Sequence, residues 1–322
     1  MIERPDADAL MAGPLGQWLA SQNDERAAVK AKVRRLRLLA IAAGLGTFVV
    51  LVLLWDAEAA IKLGAAVGFG GFGLAELAKR PLINKLKGGI NGAIAKALGL
   101  EYSVEVEPGE TFARAKLFEL VPSYDNSSFS DLWWGLVGGR PFTMHEARLT
   151  EQRGSGKNRH TVVVFEGSIM SIGFNRRFQG TTVLEPDNLR RKWLVGSEKE
   201  RCTIGELELD RVDMVDPRFE DRFTVWSNDQ VEARYLVHPE YLERLLAVET
   251  AFAGEDLRAL FHEGDLLIAL KTGNLFESGS LDAADDRTLL AQAITQFGAL
   301  AELAIKLQES ERGFRAPGQS NT

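Results

Sequence analysis

The chain has 322 residues, 45% hydrophobic and 26% charged, an ordinary globular composition that excludes disorder over its bulk. Its net charge of −7 argues against nucleic acid as a partner of the whole chain. The one cysteine, Cys202, excludes an internal disulfide framework and any multi-cysteine metal site, and beside Arg201 it reads as a structural thiol.

Residues 1–37 form an N-terminal segment. Pro5, Gly13, Pro14 and Gly16 argue against one continuous helix up to Asn23. From Asp24 to Arg37 no breaker interrupts the chain, so a basic helix is expected to run on into the apolar residues beyond it. Leu38 to Trp55 is uncharged and rich in Leu, Val, Ile and Ala. At ~1.5 Å per residue it nearly crosses a ~30 Å hydrocarbon core. Ala59 to Ala78 is a second, less apolar run in which Lys62 and Glu76 lie near the ends, where long side chains reach the interface. Gly64 and Gly68 form a G-x-x-x-G pair, a spacing that lets two helices approach closely in lipid. The expected use is packing within the hairpin, with homodimerisation or a re-entrant helix as alternatives.

Residues 38–78 therefore read as a transmembrane hairpin turning at Asp56-Ala57-Glu58. Before it stand Arg26, Lys30, Lys32, Arg34, Arg35 and Arg37; after it stand Lys79, Arg80, Lys85 and Lys87. The positive-inside rule then puts both termini in the cytoplasm of a bacterial inner-membrane, multi-pass protein. Residues 79–100 are expected to start a new helix at Pro81. Leu82, Leu86, Ile90 and Ile94 make one apolar stripe, suited to the membrane interface or to packing on the next domain.

From residue 101 to 309 the pattern is that of an α+β domain. Short strands are expected at 102–107, 133–137, 142–150, 161–165, 168–174, 178–184, 207–215 and 222–226, with a hairpin at 257–271. Helices are expected at 111–120, after Asp229, from Pro239 to about Phe252, and over 288–307. Strands followed by segregated helices predict a mainly antiparallel sheet with packed helices. Residues 310–322 read as a disordered tail.

Chemistry is sparsely encoded. His145, His160, His238 and His262 form no helical H-x-x-x-H or H-E-x-x-H pair, and neither a P-loop nor a G-x-G-x-x-G is present. No catalytic residue, metal or cofactor is implied. Asp229-Gln230-Val231-Glu232 has the form of a capping box, and Asp229, Gln230, Glu232, Arg234, Tyr235 and His238 are the densest polar group. It reads as a capped turn with an internal ion pair, or alternatively as a small acid/base or anion-binding site. Arg176-Arg177 and Arg190-Arg191-Lys192 are basic clusters suited to solvent or to anionic lipid.

The run from Phe219 through Phe223, Val225-Trp226-Ser227 and Asp229-Gln230-Val231-Glu232-Ala233-Arg234-Tyr235-Leu236 resembles the signature of a bacterial membrane-protein family, domain of unknown function 3137. Val164-Phe165-x-Gly167 and Phe174-Asn175-x-x-Phe178-x-Gly180-x-Thr182 resemble its pattern too, as does the hairpin. His238 replaces the small hydroxyl residue expected before Pro239, and the second span is richer in glycine than usual. The resemblance implies a membrane-anchored cytoplasmic α+β domain and no activity. The expected role is a tethered interaction module with a protein partner. The rivals are an enzyme using the Asp229 to His238 group and a domain contacting anionic lipid.

Overall fold

The computed structural model describes residues 6–54, 57–174, 177–187, 200–214, 222–273 and 280–313. They form two compact units, one from the described residues within 94–273 and 292–313, the other from those within 6–93 and 280–291.

The second unit is helical. Helices α1 (Ala7–Ala12) and α2 (Pro14–Ser21) are separated at Gly13, as the glycine and proline there require. Helix α3 (Asn23–Leu54) carries the basic segment into the apolar run without a break. Helix α4 (Ala57–Leu98) runs straight through Pro81, so the separate helix expected from that proline does not form. Proline removes one intrahelical donor there and the remaining ladder holds. Leu82, Leu86 and Ile90 are buried in the protein. Gly89 makes room for Trp18: a Cβ there would meet the indole at 2.1 Å.

Where α3 and α4 run side by side, their backbones touch. A Cβ at Gly44 would lie 2.9 Å from the Gly64 carbonyl oxygen, and one at Gly71 only 2.4 Å from Ala40 Cβ. The small-residue seam is used within the hairpin. Arg26 does not lie on a free basic face. It forms a buried bidentate pair with Asp286, both bonds 2.9 Å long. Arg37 bonds Glu76 across the two helices at 2.5 Å, and Lys85 bonds Glu25 at 2.6 Å.

The first unit is an α+β domain, as the sequence pattern predicts. Among the described residues its sheet has ten strands: β1 (Leu100–Ser103), β2 (Asn126–Val137), β3 (Arg140–Arg153), β4 (His160–Gly173), β5 (Thr182–Pro186), β6 (Arg201–Ile204), β7 (Leu207–Arg211), β8 (Phe223–Ser227), β9 (Glu255–His262) and β10 (Asp265–Lys271). Their order is β1-β2-β3-β4-β10-β9-β5-β8-β7-β6, and every pairing is antiparallel. Gly138 and Gly139 take φ of 60° and 78°, the left-handed pair a two-residue hairpin turn needs between β2 and β3.

Helix α5 (Glu110–Leu117) covers one face, where Phe112, Phe118, Phe165, Ile169, Trp226, Leu260 and Leu267 share a core. On the other face, Tyr241 of α7 (Pro239–Ala251) packs on Phe261, and Phe297 of α8 (Asp286–Gly313) packs on Trp133 with ring centroids 4.3 Å apart. Cover on both faces explains why Leu266 to Leu270 of β10 are all buried instead of alternating.

Several expected boundaries move. The runs on either side of Gly167 are one strand, β4, because the glycine lies flat against β10: a Cβ would sit 2.1 Å from the Leu270 carbonyl oxygen. The strand expected from Phe178 begins only at Thr182 and includes Pro186, which pairs with β8 but extends beyond the β9 register. The first strand ends at Ser103 instead of Glu107. Residues 310–313 are helical, since no breaker precedes Gly313. The remaining tail, Trp55, Arg176, Phe219 and the Arg190-Arg191-Lys192 cluster lie outside the described residues.

Candidate functional site

The Asp229 group sits where β8 ends and α6 (Gln230–Leu236) begins. Beside it, β5 starts and β9 ends, because Thr182 pairs with both Ser227 and Phe261. Two segments remote in sequence, 178–182 and 227–232, are thereby joined.

Asp229 is the N-cap of α6. Its Oδ1 accepts from the amides of Val231 at 3.1 Å and Glu232 at 2.9 Å, satisfying donors that the helix start leaves open. Glu232 does not close the capping box. Its Oε2 accepts instead from the amides of Gln179 at 2.9 Å and Gly180 at 2.8 Å. The Asp229 amide, which a capping box would give to Glu232, donates to Ser227 Oγ at 3.0 Å. Asn228 Oδ1 accepts from the Thr181 amide at 2.7 Å, and the Ser227 and Thr182 hydroxyls are 2.9 Å apart. Gly180 has to be glycine: a Cβ would lie 2.7 Å from both Asn228 Oδ1 and Asp229 Cβ.

Arg234 is exposed. Its Nη2 donates to Gln230 Oε1 at 3.2 Å and its Nε to the Asp213 carbonyl at 3.4 Å. Tyr235 is half-buried on the same helix. His238 takes the N-cap position of α7 without a side-chain cap bond, and among the described residues no hydrogen bond joins it to the Asp229 group. The adjacent amides of Gln179 and Gly180 would suit an external anion, but the chain's own Glu232 occupies them.

Sequence reasoning missed one pairing. Thr181 Oγ1 lies 2.9 Å from His262 Nδ1, and Glu263 Oε2 stands 4.0 Å from the other ring nitrogen. This has the form of a hydroxyl–imidazole–carboxylate row. Thr181 is only 4% exposed. The His262 ring stacks on Phe118, and Arg114 clamps the strand end by donating to the His262 carbonyl at 3.1 Å and to Asp265 at 2.5 Å. Burial is the main cause holding His262 below its ordinary pKa. The only sequence signal for this cluster was that Gly180, Thr182, Ser227 and Asp229 all fall in one family pattern.

Residues 163–309 match the model of the family described as Protein of unknown function (DUF3137). This is the family that the sequence resemblance named, and both joined segments lie inside the match. No curated protein matches. Among solved structures, the chain is similar to the crystal structure of the mycobacterial trehalose monomycolate transport factor A, TtfA. The two are 12% identical with a TM-score of 0.36, over 69% of this chain and 93% of that one. Two helices, within Pro14–Leu54 and Ala60–Leu98, are long and apolar enough to cross a membrane.

Proposed function

We propose that the protein is a membrane-tethered interaction module, anchored by α3 and α4, whose sheet domain binds another protein and turns nothing over. Both termini and the sheet domain then lie on the cytoplasmic side of a bacterial inner membrane, with residues 56–58 outside. The proposed division is an N-terminal segment to residue 37, a hairpin over 38–78, a connecting helix to 100 and a domain over 101–309. The observation that carries the reading is the state of the Asp229 group. Its two carboxylates accept four backbone amides, two at the start of α6 and two from the loop before β5. Such bonds give Asp229 and Glu232 a fold-fixing task, which favours a structural role for this group over a catalytic one. Tethering raises the effective concentration of the domain near other membrane components, so a weak contact would still be occupied.

Deleting Leu38 to Ala78 and expressing the remainder at native level tests this. The soluble form is expected to fail to complement a deletion strain and to lose partners that co-purify with the full chain in mild detergent. Full complementation by the soluble form would sink the tethered-module reading and move an enzyme ahead of it.

A further inference from the structure

We infer that the groove between α3 and α4 holds one acyl chain of an anionic phospholipid, with the phosphate seated among Arg34, Arg37 and Lys79. The inference rests on the reading that both helices lie in the bilayer. The groove has a volume of about 400 Å³. Its walls are Ile41, Leu45 and Phe48 from α3 and Ile61, Phe69 and Phe72 from α4. Its floor is the glycine contact, where a Cβ at Gly64 would lie 2.9 Å from the Gly44 carbonyl oxygen. Helices that touch through glycine leave the large flanking side chains standing as walls, with a trough between them.

Length selects the occupant. The α4 wall, Ile61 to Phe72, runs about 16 Å and the α3 wall, Ile41 to Phe48, about 11 Å at ~1.5 Å per residue, well short of a ~30 Å hydrocarbon core. That length holds part of one acyl chain.

Charge selects the lipid. Arg34 lies seven residues before Ile41 and Lys79 seven after Phe72, so each continues a groove wall beyond the apolar run. Between them the Arg37–Glu76 pair bridges the two helices, and Lys79 also bonds Glu76. Arg37 and Lys79 share the one carboxylate of Glu76, and helical spacing puts Arg34 one turn from Arg37 on the same side of α3, an excess of positive charge that favours an anionic headgroup over a zwitterionic one.

The test uses the full chain, purified in mild detergent, delipidated and titrated with dioleoyl phosphatidylglycerol or dioleoyl phosphatidylcholine under native mass spectrometry. A one-to-one phosphatidylglycerol adduct is expected, with phosphatidylcholine held about fivefold more weakly or worse. R34Q, R37Q and K79Q should each weaken the phosphatidylglycerol adduct by about fivefold and leave phosphatidylcholine unchanged. Ala65→Phe, which fills the trough, should abolish both adducts. Gly68→Ile is a second filling variant, since a Cβ there meets only the Ala40 carbonyl oxygen, at 3.9 Å. Equal retention of the two lipids, adducts that survive both filling variants, or a protein dimer that the filling variants dissolve would each overturn the proposal. Alkaline carbonate washing of membranes separates this from failure of the membrane reading. A protein released by the wash does not span, and both ideas fall. A retained protein without a lipid adduct overturns this inference alone.

Discussion

Glu232 and Asp229 act through hydrogen bonds to backbone amides, and their stability effects can be ranked from that. Asp229→Ala removes an N-cap and should cost about 1 kcal/mol. Glu232→Ala removes a charged acceptor from two amides, one of them in the tight Gly180 loop, and should cost about 1.5–3 kcal/mol. Thermal melts of the full chain check both. Unchanged melting with lost cellular function would instead make the group a binding site. His145 provides a pH readout. It is buried, its Nε2 has no hydrogen-bond partner, and Phe112 and Phe129 pack edge-on against it. Burial lowers its pKa from 6.5 to about 4. Below pH 6.5 the unfolded chain therefore binds a proton that the folded chain refuses, so stability falls with pH down to about 4, by up to ~1.4 kcal/mol per pH unit. Above 6.5 this histidine contributes no slope. Denaturant melts between pH 4 and 7 should show the acid limb, and His145→Phe should flatten it.

Among the elements, β4 and α4 each hold a glycine for opposite reasons. Gly167 lies against the backbone of β10, so Gly167→Ala forces two strands apart at the centre of the sheet. A loss of about 1–3 kcal/mol is expected, in line with overpacking elsewhere. Gly92, inside α4, has open space where its Cβ would be. Gly92→Ala should stabilise by about 0.5–1 kcal/mol, because alanine is the better helix former. Calorimetry of the two variants in detergent distinguishes the cases. A loss at Gly92 equal to that at Gly167 would mean that helix and sheet positions are not governed by local packing. The hairpin follows the same logic as Gly167: with glycine or alanine at the contacts, α3 and α4 approach to backbone contact at Gly44 and Gly64.

For the whole molecule, topology is the property to test. Reporter fusions after Trp55 and after Ala97 should give opposite signals if, as proposed from the basic flanks, both ends lie on one side. Periplasmic activity at the second site would mean that the glycine-rich helix does not cross. The sequence by itself determined the long apolar helices, the antiparallel α+β class and the family pattern, since each is written in local composition and period. The hairpin turns at Gly138-Gly139 and Glu263-Gly264 were legible for the same reason: turn chemistry is local. Tertiary structure alone decided what Glu232 bonds. A capping-box spacing fixes only which amides are near in sequence, and the stronger claim came from Gln179 and Gly180, brought in by the β5–β8 pairing. It likewise decided that Arg26 is buried against Asp286, that α4 passes Pro81 unbroken, and that Thr181 meets His262. Each of these depends on partners dozens to hundreds of residues away, or on packing strong enough to override a local propensity, and neither is contained in a stretch of chain read alone.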